Sequence, residues 1–335
     1  MEGIDDERVT AWLVAELQQV TPPFSIRLIA GGHSNLTFGV TDAAGRRMVL
    51  RRPPLGHVLE SAHDMAREHR IIAALADSSV PVAAALGLCE DRSVNGAPFY
   101  IMGFVDGVVL NDAATAAELP LVERRQLGLN MADVLVALHG IDPDAVGLGS
   151  LGRKEAYLER QLKRWTKQWE AAKTHEVAEM DAARTLLAER MPEQLGAAIV
   201  HGDYRLGNMM VGDGRIRAVL DWELCTLGDP LADVGYLLNA WQEPGEPGAE
   251  LTPTGVGGFP GRAELCARYA ALTRRDLAGI NYYRAFSHWR LAAIGQGVYK
   301  RYLVGAMGEN RGMDLDSYKN SVQTRAAAAL ALLTG

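Results

Sequence analysis

Apolar positions recur with two different periods along this chain, and the change of period divides it. Up to about residue 103 they come in short runs bounded by Gly, Pro, Asn or Asp, the mark of β-strands. Strands are predicted over 25–29, 37–40, 47–51, 80–89 and 99–102. A helix over 6–19, with Val9, Trp12, Leu13 and Leu17 on one side, precedes them. A second helix, from 61 to about 76, carries the stripe Ile71, Ile72 and Leu75. Beyond about residue 108 the spacing becomes helical, over 119–139, 153–172, 176–191, 262–274, 276–302 and finally 326–333. In the second of these, Leu158, Leu162, Trp165 and Trp169 recur at steps of four, three and four, a packing face. One interruption is a buried apolar run at 197–200, followed by a hairpin over 209–211 and 215–220 that turns on Gly212-Asp213-Gly214. The expected architecture is α+β and bilobal: an antiparallel-sheet lobe over 1–105 and a larger, mainly helical lobe over 106–335.

Composition narrows the function classes. The chain has 335 residues, 22% charged and 48% hydrophobic, ordinary for a soluble globular protein. A net charge of −7 disfavours general nucleic-acid binding. The opening residues are acidic, where a secretory signal would be basic and then apolar. No apolar run approaches the roughly 18 residues a membrane helix needs. Cys89, Cys225 and Cys266 are odd in number and widely spaced, which fits neither a disulfide framework nor a zinc site. A reducing cytoplasm is the expected compartment.

The chemistry concentrates in His201-Gly202-Asp203-Tyr204-Arg205-Leu206-Gly207-Asn208, with Asp221-Trp222-Glu223 after the hairpin. Two carboxylates and an amide at this spacing supply what magnesium-assisted phosphoryl transfer needs: an acceptor for a hydroxyl proton and oxygen ligands for the metal. The hairpin brings Asn208 and Asp221 face to face at one end of a ribbon. Taken singly, Asp203 reads as a turn residue, Asn208 as a hairpin start and His201 as a core histidine bonded to backbone. Asp221 ends a buried strand and needs a partner, because an unpaired buried charge is very costly. A hydrolase metal centre on His201 and Asp203 would need further ligands, and the eight histidines offer no second cluster. Between the first two strands, Gly31-Gly32-His33-Ser34-Asn35 is either an ordinary hairpin or a lid whose backbone N–H groups approach phosphate oxygens.

The spacing H-x-D-x-x-x-x-N, with an Asp 13 residues later, resembles the catalytic and metal-binding loops of protein kinases. HGD and DWE in those places are similar to the aminoglycoside phosphotransferase and choline kinase superfamily, as is GDPLAD at 228–233. GGHSN, VLRRPP, YLERQLKRW at 157–165 and FSHWRLAAIGQGVYKR at 286–301 resemble the branch found alone or fused to acyl-CoA dehydrogenase domains. The resemblance implies a protein-kinase-like fold, ATP as donor and Mg²⁺ as cofactor. It implies Asp203 as the base, with Asn208 and Asp221 as metal ligands. The backbone at Gly32, Ser34 and Asn35 would steady the triphosphate, and Phe104 and Val105 would hold adenine with Met102 behind them. Arg51 stands where a kinase has lysine, with Glu68 as its partner. Arg supplies a planar fork instead of a mobile ammonium, so the geometry differs from the family at large. A pairing of Glu68 with its neighbour Arg67 is the plainer alternative.

The resemblance implies a hydroxylated small molecule as acceptor, to be identified from the helical lobe. Residues 261–335 hold eleven Lys or Arg against five Asp or Glu, and 153–170 six against three. That balance argues against a polycation and for an acceptor with anionic groups. The resembled branch includes kinases of hydroxyacyl-CoA thioesters, whose phosphates suit such a surface. Arg160, Arg164, Arg290 and Arg301 are the candidate acceptor contacts; Arg290, in a largely apolar helix, must be paired with either the catalytic loop or a substrate anion. The Gly/Pro-rich stretch 243–261 is expected at the rim of the acceptor site, and Asp229 and Asp233 as supports of the catalytic loop. Competing readings are a kinase of aminoglycosides or other small alcohols, and a nucleotide- or acyl-CoA-binding pseudokinase suggested by Arg51.

Overall fold

The computed structural model describes residues 2–30, 35–55, 64–305 and 315–335. Helix α1 (Asp6–Glu16) is capped by Asp5, whose side chain accepts from the Arg8 N–H. Strands β1 (Ser25–Ala30), β2 (Leu36–Thr41) and β3 (Arg47–Arg52) follow, then α2 (Met65–Leu75), β4 (Ala85–Cys89), the short α3 (Arg92–Asn95) and β5 (Phe99–Gly103). The strands form one antiparallel sheet in the order β1-β2-β3-β5-β4.

The alternation of side chains along β3 and β5 decides what each face does. Met48 and Leu50 on β3, with Phe99 and Ile101 on β5, pack with Val9 and Leu13 of α1. The intervening Val49, Arg51, Tyr100 and Met102 face the opposite way, into a cleft. Arg51 and Tyr100 are direct cross-strand partners, so both reach the same point beneath α2.

The second part comprises α4 (Ala113–Ala117), α5 (Leu121–Gly140), α6 (Tyr157–Ala172), α7 (Ala178–Glu189), β6 (Ala198–Val200), β7 (Met209–Gly212), β8 (Arg215–Val219), β9 (Thr226–Gly228), α8 (Leu231–Ala240), α9 (Arg262–Thr273), α10 (Ile280–Leu303) and α11 (Leu315–Thr334). Helix α10 is its axis, packed by α6, α7, α8 and α11, with Phe286, Trp289, Ala292 and Ala293 buried. The β7–β8 hairpin turns on Asp213 (φ 52°) and Gly214 (φ 66°), the positive-φ pair a tight hairpin demands. The linker after β5 is tied to this hairpin by a two-way bridge between Val108 and Val211. Beside it Gly107 leaves no room for a side chain: an added Cβ would lie 2.5 Å from the Val211 carbonyl oxygen.

Several boundaries differ from expectation. The strand foreseen over 80–89 is confined to β4, since Pro81 cannot donate to a ladder. Residues 61–63 lie outside the described part, and α2 begins at Met65 behind its cap, Asp64. The turn expected at 94–96 is the end of α3, closed by Gly96 in the left-handed conformation. Strand β9, which pairs with β6, was not foreseen. The stretch 243–261 folds onto α4 and α5, where Arg124 donates to Gly257 O and Leu119 O, and does not line the arginine-bearing cavity described below.

Candidate active site

The catalytic-loop stretch leaves β6 and is held by a carboxylate beneath it. Asp233, fully buried on α8, accepts the His201 N–H at 2.6 Å and the Gly202 N–H at 2.8 Å. Its other neighbour is His139 Nε2 at 3.3 Å, on α5. Asp229 braces the same region, accepting from the Leu231 N–H and the Tyr283 hydroxyl. Both are buried supports, with every strong contact directed at backbone or a neighbouring side chain.

His201 is a brace as well. Its Nδ1 accepts from the Asp203 N–H at 3.2 Å, so Nε2 carries the proton and donates to Leu220 O at 2.9 Å. Leu220 N–H in turn donates to Asn208 O at 2.8 Å. These bonds bring the neighbouring Asp221 onto the same cluster as Asp203 and Asn208. Asn208 Nδ2 donates to Asp203 Oδ2 at 2.7 Å, which turns the amide oxygen away from Asp203 and leaves it for another partner. Arg205 Nε lies 3.3 Å from Asp203 Oδ1. The Tyr236 hydroxyl also faces Asp203; burial and that carboxylate push the phenol well above its usual range.

Arg51 and Glu68 meet as a buried ion pair, Nε to Oε2 at 2.9 Å, off the line a hydrogen bond requires. A terminal nitrogen of the same guanidinium reaches Asp221 Oδ1 at 2.6 Å. Glu68 is held from two more sides, by Asn35 Nδ2 at 2.9 Å and the Tyr100 hydroxyl at 3.0 Å. Burial raises the Glu68 carboxyl above its usual range against the pull of Arg51. Burial alone would lower the guanidinium pKa, but Glu68, Tyr100 and Asp221 keep it charged. Arg67 is engaged elsewhere, donating to Leu151 O and Cys225 O, which ties α2 to the helical part.

One space is lined by Arg51 and Asp221 of this cluster, and a second lies next to Glu223 and Arg290. A cavity of about 310 Å³ lies between the sheet and the hairpin, lined by Val49, Arg51, Met102, Phe104, Val105 and Asp221. A basin of about 650 Å³ is lined by Arg164, Arg290, Arg301, Trp165 and Glu223 among others. Arg290 donates to Gly202 O at 2.8 Å and lies 5.4 Å from the Tyr236 ring centre, so it pairs with the 201–208 loop at the edge of the basin. Arg160 is not at that basin; it turns back to Arg153 O at 2.6 Å. The Asn35 side chain is engaged on Glu68, which leaves its backbone as the group expected to face a triphosphate. Gly32 and Ser34 lie outside the described residues.

Glu223 was not singled out from sequence, although it completes the Asp221-Trp222-Glu223 triplet. One of its carboxylate oxygens is buried without a hydrogen-bond partner. Burial first, then Asp221 and Glu68, push its pKa up to about 7. Among the described residues no three His, Cys, Asp or Glu side chains converge on one point. Asn208 and Asp221 offer two oxygen donors, which fits a hard cation that keeps waters and takes phosphate oxygens for its remaining positions.

A small antiparallel sheet over a helical body, with this cleft between, is the protein-kinase-like phosphotransferase architecture. The family model of the phosphotransferase enzyme family matches residues 25–266, and the chain belongs to that family. It is 38% identical to mouse acyl-CoA dehydrogenase family member 10 over 295 residues, covering 85% of this chain and 27% of that protein. It is 35% identical to mouse acyl-CoA dehydrogenase family member 11, covering 90% of this chain and 39% of that one. The chain thus spans less than two-fifths of either relative. Among solved structures, a Ralstonia eutropha protein classed with the aminoglycoside phosphotransferases superposes with a TM-score of 0.84 at 34% identity, over 98% of both chains. Aminoglycoside phosphotransferase APH(4)-Ia with ADP and hygromycin B superposes at 0.63 and 18% identity over 98% of this chain and 99% of that one, a likeness of fold.

Proposed function

We propose that this phosphotransferase is a Mg²⁺-dependent kinase that moves the γ-phosphate of ATP to the hydroxyl of a small anionic acceptor, a hydroxyacyl-CoA being the leading candidate. The observation that carries this reading is that Asp221 lines the largely apolar cavity under the sheet, while the arginine-lined basin is walled by Glu223, two residues on, and by Arg290, which donates to the Gly202 carbonyl beside Asp203. The first suits a nucleotide base, with Phe104 and Val105 offering backbone at its edge and Met102 behind. The second suits phosphates or carboxylates.

In this mechanism Asp203 orients the acceptor hydroxyl and takes its proton, while Asn208 and Arg205 fix the carboxylate's direction. Asn208 and Asp221 would hold Mg²⁺, which neutralises charge on the β- and γ-phosphates when bound. Arg51, set by Glu68, places a fixed positive charge where the triphosphate lies. Arg164 and Arg301 draw the acceptor's anionic group, and Arg290 keeps the Gly202 carbonyl in place. Positioning and electrostatics supply most of the rate.

One observation favours a second reading, a nucleotide- or acyl-CoA-binding pseudokinase: Arg51 already occupies the Asp221 oxygen that a metal needs. ADP release measured with Mg²⁺ against hydroxyacyl-CoAs, aminoglycosides and choline decides between them. Turnover with hydroxyacyl-CoA alone is expected. Turnover with aminoglycoside or choline instead removes the anionic acceptor, and none with any acceptor leaves the pseudokinase.

A further inference from the structure

The arginine-lined basin adjoins a second space of about 500 Å³, a groove between α6 and α10 that is open to solvent along part of its length. The two spaces share Trp165, Glu223, Leu224 and Arg301 as walls. Beyond that shared neck the character changes. Ala171 and Ala172 on one side face Ala293, Ile294 and Gly297 on the other; of the charged groups, Glu223 and Arg301 stand at the shared neck, and Lys300 has its ammonium turned onto a backbone carbonyl. Two hydrogen bonds tie the walls together: Gln296 Nε2 donates to Ala172 O at 3.0 Å and Lys300 Nζ to Ala171 O at 2.7 Å. They satisfy the last carbonyls of α6, which otherwise have no partner within the helix. These bonds fix the spacing of α6 and α10 at one end of the groove, here called the gallery.

Gly297 is the informative residue. It sits inside the 24-residue helix α10, where glycine is less favourable than alanine by about 1 kcal/mol. Its backbone φ is not in the left-handed region, and an added Cβ would meet nothing within 4 Å. Neither conformation nor crowding demands glycine here; what the missing side chain provides is room in the gallery.

We infer that this gallery receives an unbranched apolar substituent of the acceptor, and that Gly297 sets the length of chain that fits. The inference rests on the reading that the basin takes the acceptor. Continuity through the shared neck then places an anionic group among Arg164 and Arg301, the reacting hydroxyl toward Asp203, and an aliphatic tail between α6 and α10. A polyhydroxylated or polycationic acceptor would leave its polar groups unpaired against these alanines.

The experiment measures binding, by titration calorimetry, of saturated straight-chain acyl-CoAs of four to twelve carbons and of the corresponding alkanoates. The wild-type chain, Gly297→Leu and Gly297→Ala are compared. In the wild type, affinity should rise about threefold to fourfold per methylene until the gallery is full. Gly297→Leu should flatten that rise while leaving the four-carbon ligand and ATP binding unchanged, with a melting temperature at or above that of the wild type because glycine is the weaker helix former. Gly297→Ala should shift the plateau by about one methylene. A chain-length dependence identical in wild type and Gly297→Leu, or none in either ligand series, overturns the inference. Phosphoryl transfer to hydroxyacyl-CoAs is assayed separately. Chain-length-dependent binding without such transfer would leave the gallery standing and remove the hydroxyacyl-CoA assignment; transfer with no length dependence would do the reverse.

Discussion

Arg51 and Asp221 lie 170 positions apart in sequence and 2.6 Å apart in space, one on the sheet and one at the end of the hairpin. The guanidinium's planar fork lets Nε serve Glu68 while a terminal nitrogen serves Asp221. A lysine ammonium is a single point on a flexible stem and cannot reproduce both directions. Arg51→Lys should lower kcat/KM for ATP about tenfold, and Arg51→Met a further tenfold or so. Steady-state kinetics over ATP concentration check this; wild-type values for the lysine variant would show that the fork is dispensable.

Removing Asp203, the proposed proton acceptor, should separate binding from chemistry. Asp203→Ala is expected to retain ATP affinity, because the cavity under the sheet is lined by other residues, while turnover falls below about 1% of wild type. Nucleotide titration alongside single-turnover assays tests both halves, and retained turnover with weakened ATP binding would contradict the assignment.

Asp233 accepts two buried backbone N–H groups, and nothing else in its surroundings accepts them. Asp233→Ala leaves both without a partner, at about 1–3 kcal/mol each. Urea unfolding should report a loss of about 2–6 kcal/mol, with Asp233→Asn in between because its amide oxygen keeps one acceptor. A loss below about 1 kcal/mol would mean that water replaces the carboxylate.

His288 on α10 gives a pH dependence outside the catalytic cluster. Burial first, then Arg325, Arg284 and Arg262, hold its pKa down at about 4. The unfolded chain has the ordinary histidine value of about 6.5, so between these two values it binds more protons than the folded one. Stability should therefore be full above about pH 6.5 and decline as pH falls toward 4. His288→Gln should show a shallower fall in melting temperature between about pH 6.5 and 4.5. Parallel curves for the two proteins would exclude the imidazole as the source.

Much of this was readable because it is local or periodic. Alternation along β3 put Arg51 on the face opposite Met48 and Leu50, and the one-turn offset of Glu68 from Ile72 put it inward; the meeting of Arg51 and Glu68 follows from two periods. The Asp213-Gly214 turn fixed the hairpin that carries Asp221 toward Asn208. What escaped notice depends on long-range packing. Strand β9 is three residues long and gains its partner, β6, only after the hairpin folds back. Arg160 and Arg164 are one turn apart on α6, so composition could not tell which meets the basin; the Arg153 carbonyl captures Arg160. The Asn35 side chain turns inward because Glu68 has oxygens that Arg51 does not satisfy.

Asp221 adopts φ 63° and ψ 68°, a left-handed backbone that costs a residue bearing Cβ roughly 1 kcal/mol and glycine nothing. Chemistry and conformation thus pull against each other at one position. A mutation to glycine there forfeits the carboxylate yet relaxes the chain, and Arg51 still has Glu68 to neutralise it. On the proposed mechanism, descendants that lose activity by this route would stay well folded, so the fold itself does nothing to preserve the aspartate; only continued use of the reaction would.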